Sequence, residues 1–296
     1  MTWRRMALRN DSSVTGFILL GLTQQPELQL PLFFFLGVYV LSVMGNLGLI
    51  ILIVLNSHLH TPMYYFLFNL SFTDLCYSSV ITPRMLVGFM KQTIISHAEC
   101  MIQLFFFCFF VIDECYILTA MAYDRYAAIY KPLLYQVTMS HRVCLLMTMG
   151  VYVMGFVEAM AHTASIVRLI FCDGNIINHY MCEINALLKL SCTSTFISEL
   201  VVYVIAGFNV TVPTLTIFIS YTLILSNILS IHSAEGRSKA FSTCGSHVIA
   251  VSLFFGAVAF MYLKPSSASV GDDKVSSIFL YNFGSNAESF HLQHKK

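Results

Sequence analysis

Apolar residues run along this chain in long blocks, not in the short alternations of strands or the one-sided stripes of soluble helices. Leu30 to Leu55 contains no charged residue. Met63 to Met90 is a second block, with Asp74 inside it and Pro83 and Arg84 near its end. Met101 to Met121 is a third and holds Asp113 and Glu114; Val143 to Ala161 is a fourth and Leu200 to Leu225 a fifth. Ala240 to Leu263 is a sixth, polar in its first third (Ser242, Thr243, Cys244, Ser246, His247) and apolar beyond. A hydrocarbon core about 30 Å thick is crossed by roughly 20 apolar helical residues, so the pattern predicts six secure spans. A seventh block, Val275 to Phe283, is broken by Gly284, Ser285, Asn286 and Glu288. Its helical rise would be about 13.5 Å, less than half the hydrocarbon thickness. It does not cross alone.

Composition turns this pattern into a class. Hydrophobic residues make up 57% of the 296 and Asp, Glu, Lys and Arg only 10%, where soluble domains average about 45–50% and about 25%. The 25 Phe and 15 Met agree with an integral membrane protein. A net charge of +1 with scattered basic residues leaves no footprint for nucleic acid, and the hydrophobicity rules out a disordered chain. No Gly-rich phosphate loop, His-Glu-x-x-His pair, Gly-x-Ser-x-Gly elbow or Cys-x-x-Cys pair occurs. An enzyme, or a bound cofactor, therefore has no motif to rest on.

Orientation follows from two features other than basic charge. Arg125, Lys131, Arg142, Arg237 and Lys239 fall in one set of loops, and Lys91, Arg168, Lys189, Lys264 and Lys274 in the other, so the positive-inside rule does not decide. Asn10-Asp11-Ser12 is an acceptor for N-glycosylation, which requires a lumenal N-terminus. That side also carries Cys100, Cys172, Cys182 and Cys192, as expected where disulfides form. Four cysteines allow three pairings, and the sequence alone does not choose among them. The first apolar run begins at Phe17 and is short, so the expectation is no cleavable signal peptide, with the first span as insertion signal.

Several motifs then narrow the field. Leu59-His60-Thr61-Pro62-Met63-Tyr64 opens the second span, Met121-Ala122-Tyr123-Asp124-Arg125-Tyr126 closes the third, and Lys239-Ala240-Phe241-Ser242-Thr243-Cys244 opens the sixth with Ser246-His247 behind it. Together with Gly45-Asn46 and Ser220-Tyr221, these resemble the odorant (olfactory) receptors, a branch of the rhodopsin-like G-protein-coupled receptors, from about Asn10 to Ile278. The resemblance implies an all-α, seven-transmembrane helix bundle, here six full spans plus an incomplete seventh. It divides the chain into an extracellular N-terminus (1–29), the bundle (30–278) and an aberrant C-terminal segment (279–296). It also implies a plasma-membrane receptor for a small odorant, acting on a heterotrimeric stimulatory G protein of the olfactory type to raise cyclic AMP.

Residue roles follow from the same resemblance. Asp124, Arg125 and Tyr126, with Tyr221 and His247, are implied for coupling and switching; a plain interfacial ion pair is the other reading of Asp124–Arg125. Asn46, Asp74 and Glu114 are implied around an interior polar site that could hold sodium, with simple hydrogen bonds between protonated carboxyls as the alternative. Asp113 lies about 100° around the helix from Glu114 and has no assigned role. Cys100 is implied to bond Cys182, and Cys172 to bond Cys192.

Ligand positions implied by the family coincide with helical stripes. These are Phe107, Cys108, Val111 and Ile112 (with Cys115 next on the face), then Ile205, Ala206 and Asn209, then Phe255, Val258, Ala259 and Tyr262. Ordinary bundle packing would give the same stripes. Asn209 and the Tyr262 hydroxyl are expected to donate hydrogen bonds to a neutral, moderately hydrophobic ligand.

The C-terminal segment departs from the family. After Asp273-Lys274-Val275-Ser276-Ser277 the resemblance calls for a full helix with a Pro-x-Leu-Asn-Pro-x-Ile-Tyr motif, and Phe279 to Lys296 lacks it. Such a change of register followed by an early stop looks like a reading-frame change. The expectation is a chain of six crossings that folds poorly, stays in the endoplasmic reticulum and signals little. Rival readings are a non-signalling membrane protein that only associates with intact receptors, and a transporter, for which no internal repeat is visible.

Overall fold

The computed structural model describes residues 16–19, 29–90, 93–130, 132–171, 176–177, 181–230, 233, 245, 247–249, 251–252 and 254–256. Helix α1 (Gln29–Leu55) turns through a 3-10 turn at Ser57–Leu59 into α2 (Pro62–Met90). The last carbonyls of a helix lack partners of their own. Here Asn56 Nδ2 donates to Leu52 O at 2.8 Å, and His60 Nε2 meets Ile53 O at 3.1 Å. Pro62 starts α2 at the one position where a missing N–H costs nothing. These contacts give a physical reason for the His-Thr-Pro-Met-Tyr run.

Helix α3 (His97–Tyr130) follows, begun by a reciprocal cap: Ser96 N–H donates to Glu99 Oε2 at 3.1 Å, and Glu99 N–H to Ser96 Oγ at 3.2 Å. Its 34 residues are about 51 Å long, so it projects past the hydrocarbon at both ends. Short α4 (Tyr135–Thr138) leads to α5 (His141–Val167), then α6 (Ile184–Lys189) and α7 (Phe196–Ser230). A further helical stretch, His247–Gly256, belongs to the sixth block. The third, fourth and fifth helices each outrun the apolar block that announces them, because interfacial ends such as Asp124–Tyr130 tolerate charge and tyrosine.

Helix α3 is the hub, packed against α2, α5 and α7, while α1 packs on α2. In its most apolar stretch 61% of residues are buried, against 22%, 22% and 17% for α1, α5 and α7. Rows such as Leu41, Met44, Leu55, Val157, Tyr203 and Phe218 face outward. Lipid tails are as apolar as these side chains, so such rows are stable outside, and association rests on close packing and on polar contacts inside.

Four described helices are long and apolar enough to cross a membrane. Helix α2 matches them in length, with 29 residues, and is more polar. Asn69, Ser71, Thr73, Asp74, Ser78 and Thr82 dilute it, and all six are buried. The polarity that lowers its apparent membrane preference is turned into the bundle.

One feature has no counterpart in the sequence reading, a three-stranded sheet beside the otherwise helical bundle. Strand β1 (Gly16–Leu19) lies between β2 (Thr93–Ser96), antiparallel, and β3 (Ile176–Ile177), parallel. A Cβ on Gly16 would lie 2.9 Å from Ile95 O, so only glycine lets the strands close there. Phe17 and Leu19 are buried with Leu104, Ile166, Phe171 and Leu187. The sheet thus gathers the N-terminal segment, the α2–α3 connection and the α5–α6 connection at one end. The α1–α2 turn and the α3–α4 connection lie at the other.

Candidate functional site

At the sheet end a disulfide joins Cys100 of α3 to Cys182, 82 residues away. The Cys182 N–H also reaches Gln103 Oε1 at 3.4 Å, one turn along α3. Cys192 is disulfide-bonded as well; Cys172 lies outside the described residues, as do Asn10 and the seventh block.

Below this cap the expected ligand stripe on α3 spreads over two packed clusters, with Phe107 against both. Phe107 and Val111 pack toward α2 with Tyr77, Ile81 and Met181, and the Phe107 ring stacks on Tyr77 at 5.9 Å. Cys108 and Ile112 are buried in the sheet-end cluster with Ala159 of α5. Ile205 and Ala206 are half-buried on α7. Cys115 crosses to α7, its Sγ donating to Asn209 O at 3.4 Å. Phe255 packs edge-on to Phe254 against the cluster at the other end of the bundle. Val258, Ala259 and Tyr262 lie outside the described residues.

The Asn209 side chain differs from expectation in its engagement. Its Nδ2 donates to Glu158 Oε2 of α5 at 2.7 Å, so the nitrogen expected to greet a ligand is turned to a neighbouring helix. Glu158 is absent from the sequence-based site. It was legible as an ionisable residue inside the fourth block, a default functional signal in a membrane.

Asp113 acquires a place. It is fully buried against α5, where a Cβ on Gly155 would come within 2.2 Å of its Oδ1. Both carboxyl oxygens lack a hydrogen-bond partner among the described residues. It therefore belongs to the α3–α5 seam. Nearby, Tyr152 of α5 donates to Asn69 Oδ1 of α2 at 3.1 Å, and Asn69 Nδ2 donates to Tyr65 O.

Asn46, Asp74 and Glu114 are all buried, on α1, α2 and α3. Asn46 Nδ2 reaches Ser42 Oγ at 3.5 Å. Hard cations take oxygen ligands, and Asp74 and Glu114 offer carboxylates. Among the described residues no three His, Cys, Asp or Glu side chains cluster, so a sodium ion there would depend on hydroxyl and carbonyl oxygens for the rest of its shell.

At the end opposite the sheet, Arg125 donates to Asp124 Oδ2 at 2.8 Å, and the Tyr135 hydroxyl donates to Asp124 Oδ1 at 2.7 Å. Asp124 is fully buried, whereas the Arg125 side chain is 12% exposed. Arg125 Nε is buried without a partner among the described residues. Burial first, then the hydrogen bond and charge of Asp124, push the Tyr135 hydroxyl above the ordinary phenol range, so it remains a donor through neutral pH. Tyr135 was not foreseen. Tyr126 stacks on Tyr130 at 5.2 Å and packs with Tyr221 against Ile224 and Ile228 of α7. Tyr221 also contacts His247 Nδ1 through its hydroxyl, tying α7 to the sixth block.

Comparison with known proteins agrees with this arrangement. A family model described as olfactory receptor matches residues 35–268. Human olfactory receptor 8B3 is 64% identical over 279 residues, covering 94% of this chain and 89% of that protein. Mouse olfactory receptor 8B8 is 65% identical over 277 residues, covering 93% and 89%. The crystal structure of squid rhodopsin superposes with a TM-score of 0.70 at 17% identity, over 88% of this chain and 75% of that one, a likeness of fold. Membrane-spanning helices hubbed on α3, the motifs that open and close them, and these relatives lead to one conclusion: the chain belongs to the olfactory receptor family, multi-pass membrane receptors rather than enzymes.

Proposed function

We propose that this chain binds a small, mainly apolar odorant within the helix bundle and activates a stimulatory, olfactory-type G protein, raising cyclic AMP. Phe107, Cys108, Val111, Ile112, Ile205, Ala206, Asn209, Phe255, Val258, Ala259 and Tyr262 are the proposed ligand set. Asp124, Arg125, Tyr126, Tyr221 and His247 are the proposed coupling set, with Asn46, Asp74 and Glu114 as an interior polar switch and sodium held, if bound, by the last two. The receptor sits in the plasma membrane with its N-terminus extracellular. That orientation is supported by the disulfide at the N-terminal end, since such bonds belong to oxidising compartments.

The observation that carries this reading is the Arg125–Asp124–Tyr135 group at the end away from the disulfide. A ligand that binds one bundle arrangement more tightly shifts the population toward it. Among the described residues Arg125 is held by one short ion pair and its Nε has no partner, so little there holds it when the neighbouring helices move. In intact cells, odorant-driven cyclic AMP that disappears in Arg125→Ala at equal surface level supports the reading. Equal responses in the two chains overturn it.

One observation favours a second reading, a non-signalling chain that associates with other receptors. Phe279 to Lys296 lacks the seventh-helix motif of the family. Retention in the endoplasmic reticulum would accompany it, read by staining N- and C-terminal tags in intact and permeabilised cells.

A further inference from the structure

We propose that Glu158 sets the ligand class by holding the Asn209 amide in one orientation, so that the chain favours odorants bearing a hydroxyl over carbonyl or ether analogues of the same size. This rests on reading the α3–α7 contact as part of the ligand site.

An asparagine side chain has two unlike ends, an NH2 that donates and a carbonyl that accepts, while a carboxylate only accepts. The end of Asn209 facing Glu158 Oε2 at 2.7 Å is therefore the nitrogen. Its backbone carbonyl is engaged separately by Cys115 Sγ–H at 3.4 Å, which fixes this turn of α7 against α3. What remains is Asn209 Oδ1, buried and without a hydrogen-bond partner among the described residues.

The group left open is thus a bare acceptor. An alcohol answers it by donating to Asn209 Oδ1. A ketone, aldehyde or ether can only accept, and leaves the Asn209 oxygen buried and unmet. A hydrocarbon does the same. Leaving a buried acceptor without its donor is the discriminating effect, and it corresponds to roughly tenfold in potency. Glu158 touches no ligand here; it is a positioning residue. Without it the amide is free to turn and offer its NH2 to a carbonyl.

The test uses total membranes from cells co-expressing the full chain and a stimulatory G protein, with odorant-driven guanine-nucleotide exchange as readout, so delivery to the cell surface does not matter. The probes are six- to ten-carbon alcohols, each with its aldehyde and methyl ether analogue. The expected result is wild-type potency at least about tenfold higher for the alcohols, falling to within about threefold in Glu158→Met. A wild-type ratio near one overturns the proposal, as does a Glu158→Met chain that keeps the tenfold preference. Should Glu158→Met be silent to every probe, Glu158→Gln, nearly the same shape but able to present either end to Asn209, decides by the same ratio. A wild type silent to all the probes, and to a general odorant panel, overturns the receptor reading beneath the proposal and the proposal with it.

Discussion

Placing one methyl group on Gly155 probes the α3–α5 seam directly. The added Cβ would sit 2.2 Å from Asp113 Oδ1 and 3.1 Å from its Cγ, with Phe109 O at 3.4 Å behind. Ordinary van der Waals contact begins near that last distance, so the carboxyl must retreat by about 1 Å or the helices must part. Asp113 is fully buried, so any retreat is into packed surroundings. Overpacking of this kind costs about 1–3 kcal/mol. At a few degrees per kcal/mol, the melting temperature of the purified chain should drop by about 3–8 °C. Asp113→Ala alone should be neutral or mildly stabilising, because it removes a buried carboxyl without a partner among the described residues. Gly155→Ala in the Asp113→Ala background should then cost under about 0.5 kcal/mol, leaving a coupling of about 1–3 kcal/mol between the sites. Unfolding is followed by a thiol-reactive dye, since Cys108, Cys115 and Cys144 are free and buried. A Gly155→Ala chain as stable as wild type would refute the close approach. A double variant no better than Gly155→Ala alone would show that Asp113 is not what the methyl group meets.

The remaining predictions concern the two ends of the bundle. Tyr135→Phe removes the hydroxyl that donates to Asp124; a hydrogen bond to a charged group contributes about 1.5–3 kcal/mol, so basal G-protein activation should rise several-fold, with an unchanged basal rate counting against the lock. The sign of its pH dependence follows from the raised titration point: the contribution is complete below the ordinary tyrosine value near 10 and fades only above it, so basal activity of wild type should not rise between pH 6 and 9 through this residue. Cys100→Ser opens a closure of 82 residues, worth up to about 4.5 kcal/mol in the chain-entropy account, and should lower the melting temperature by more than Gly155→Ala does.

How much of this was legible in the sequence depends on range. Uninterrupted runs such as Leu30–Leu55 announce α1 because lipid asks only for apolarity and length. Helix α2 was legible as a block, yet its buried Asn69, Ser71 and Asp74 make it a poor membrane segment by composition alone. The sheet was not legible: its strands have four, four and two residues, and each is ordered by partners far away, as Ile18 is by Ile94 and Ile176. The 100° offset of Asp113 from Glu114 was readable, but not that Gly155 on another helix would leave room for it. Periodicity grouped Phe107, Cys108, Val111 and Ile112 as one face; it could not say that Val111 packs toward α2, Cys108 and Ile112 into the sheet-end cluster, and Phe107 against both. Tyr135 sits in a connection where no period operates. The Cys100–Cys182 pairing came from resemblance, since arithmetic left three choices.

The measurement that bears most directly on the account is nucleotide exchange by purified stimulatory G protein with the chain reconstituted in lipid discs, with and without an odorant panel. The expected result is odorant-dependent exchange that vanishes in Arg125→Ala and persists, with a higher basal rate, in Tyr135→Phe. A folded chain that drives no exchange with any odorant, or one whose exchange is indifferent to Arg125, would contradict it.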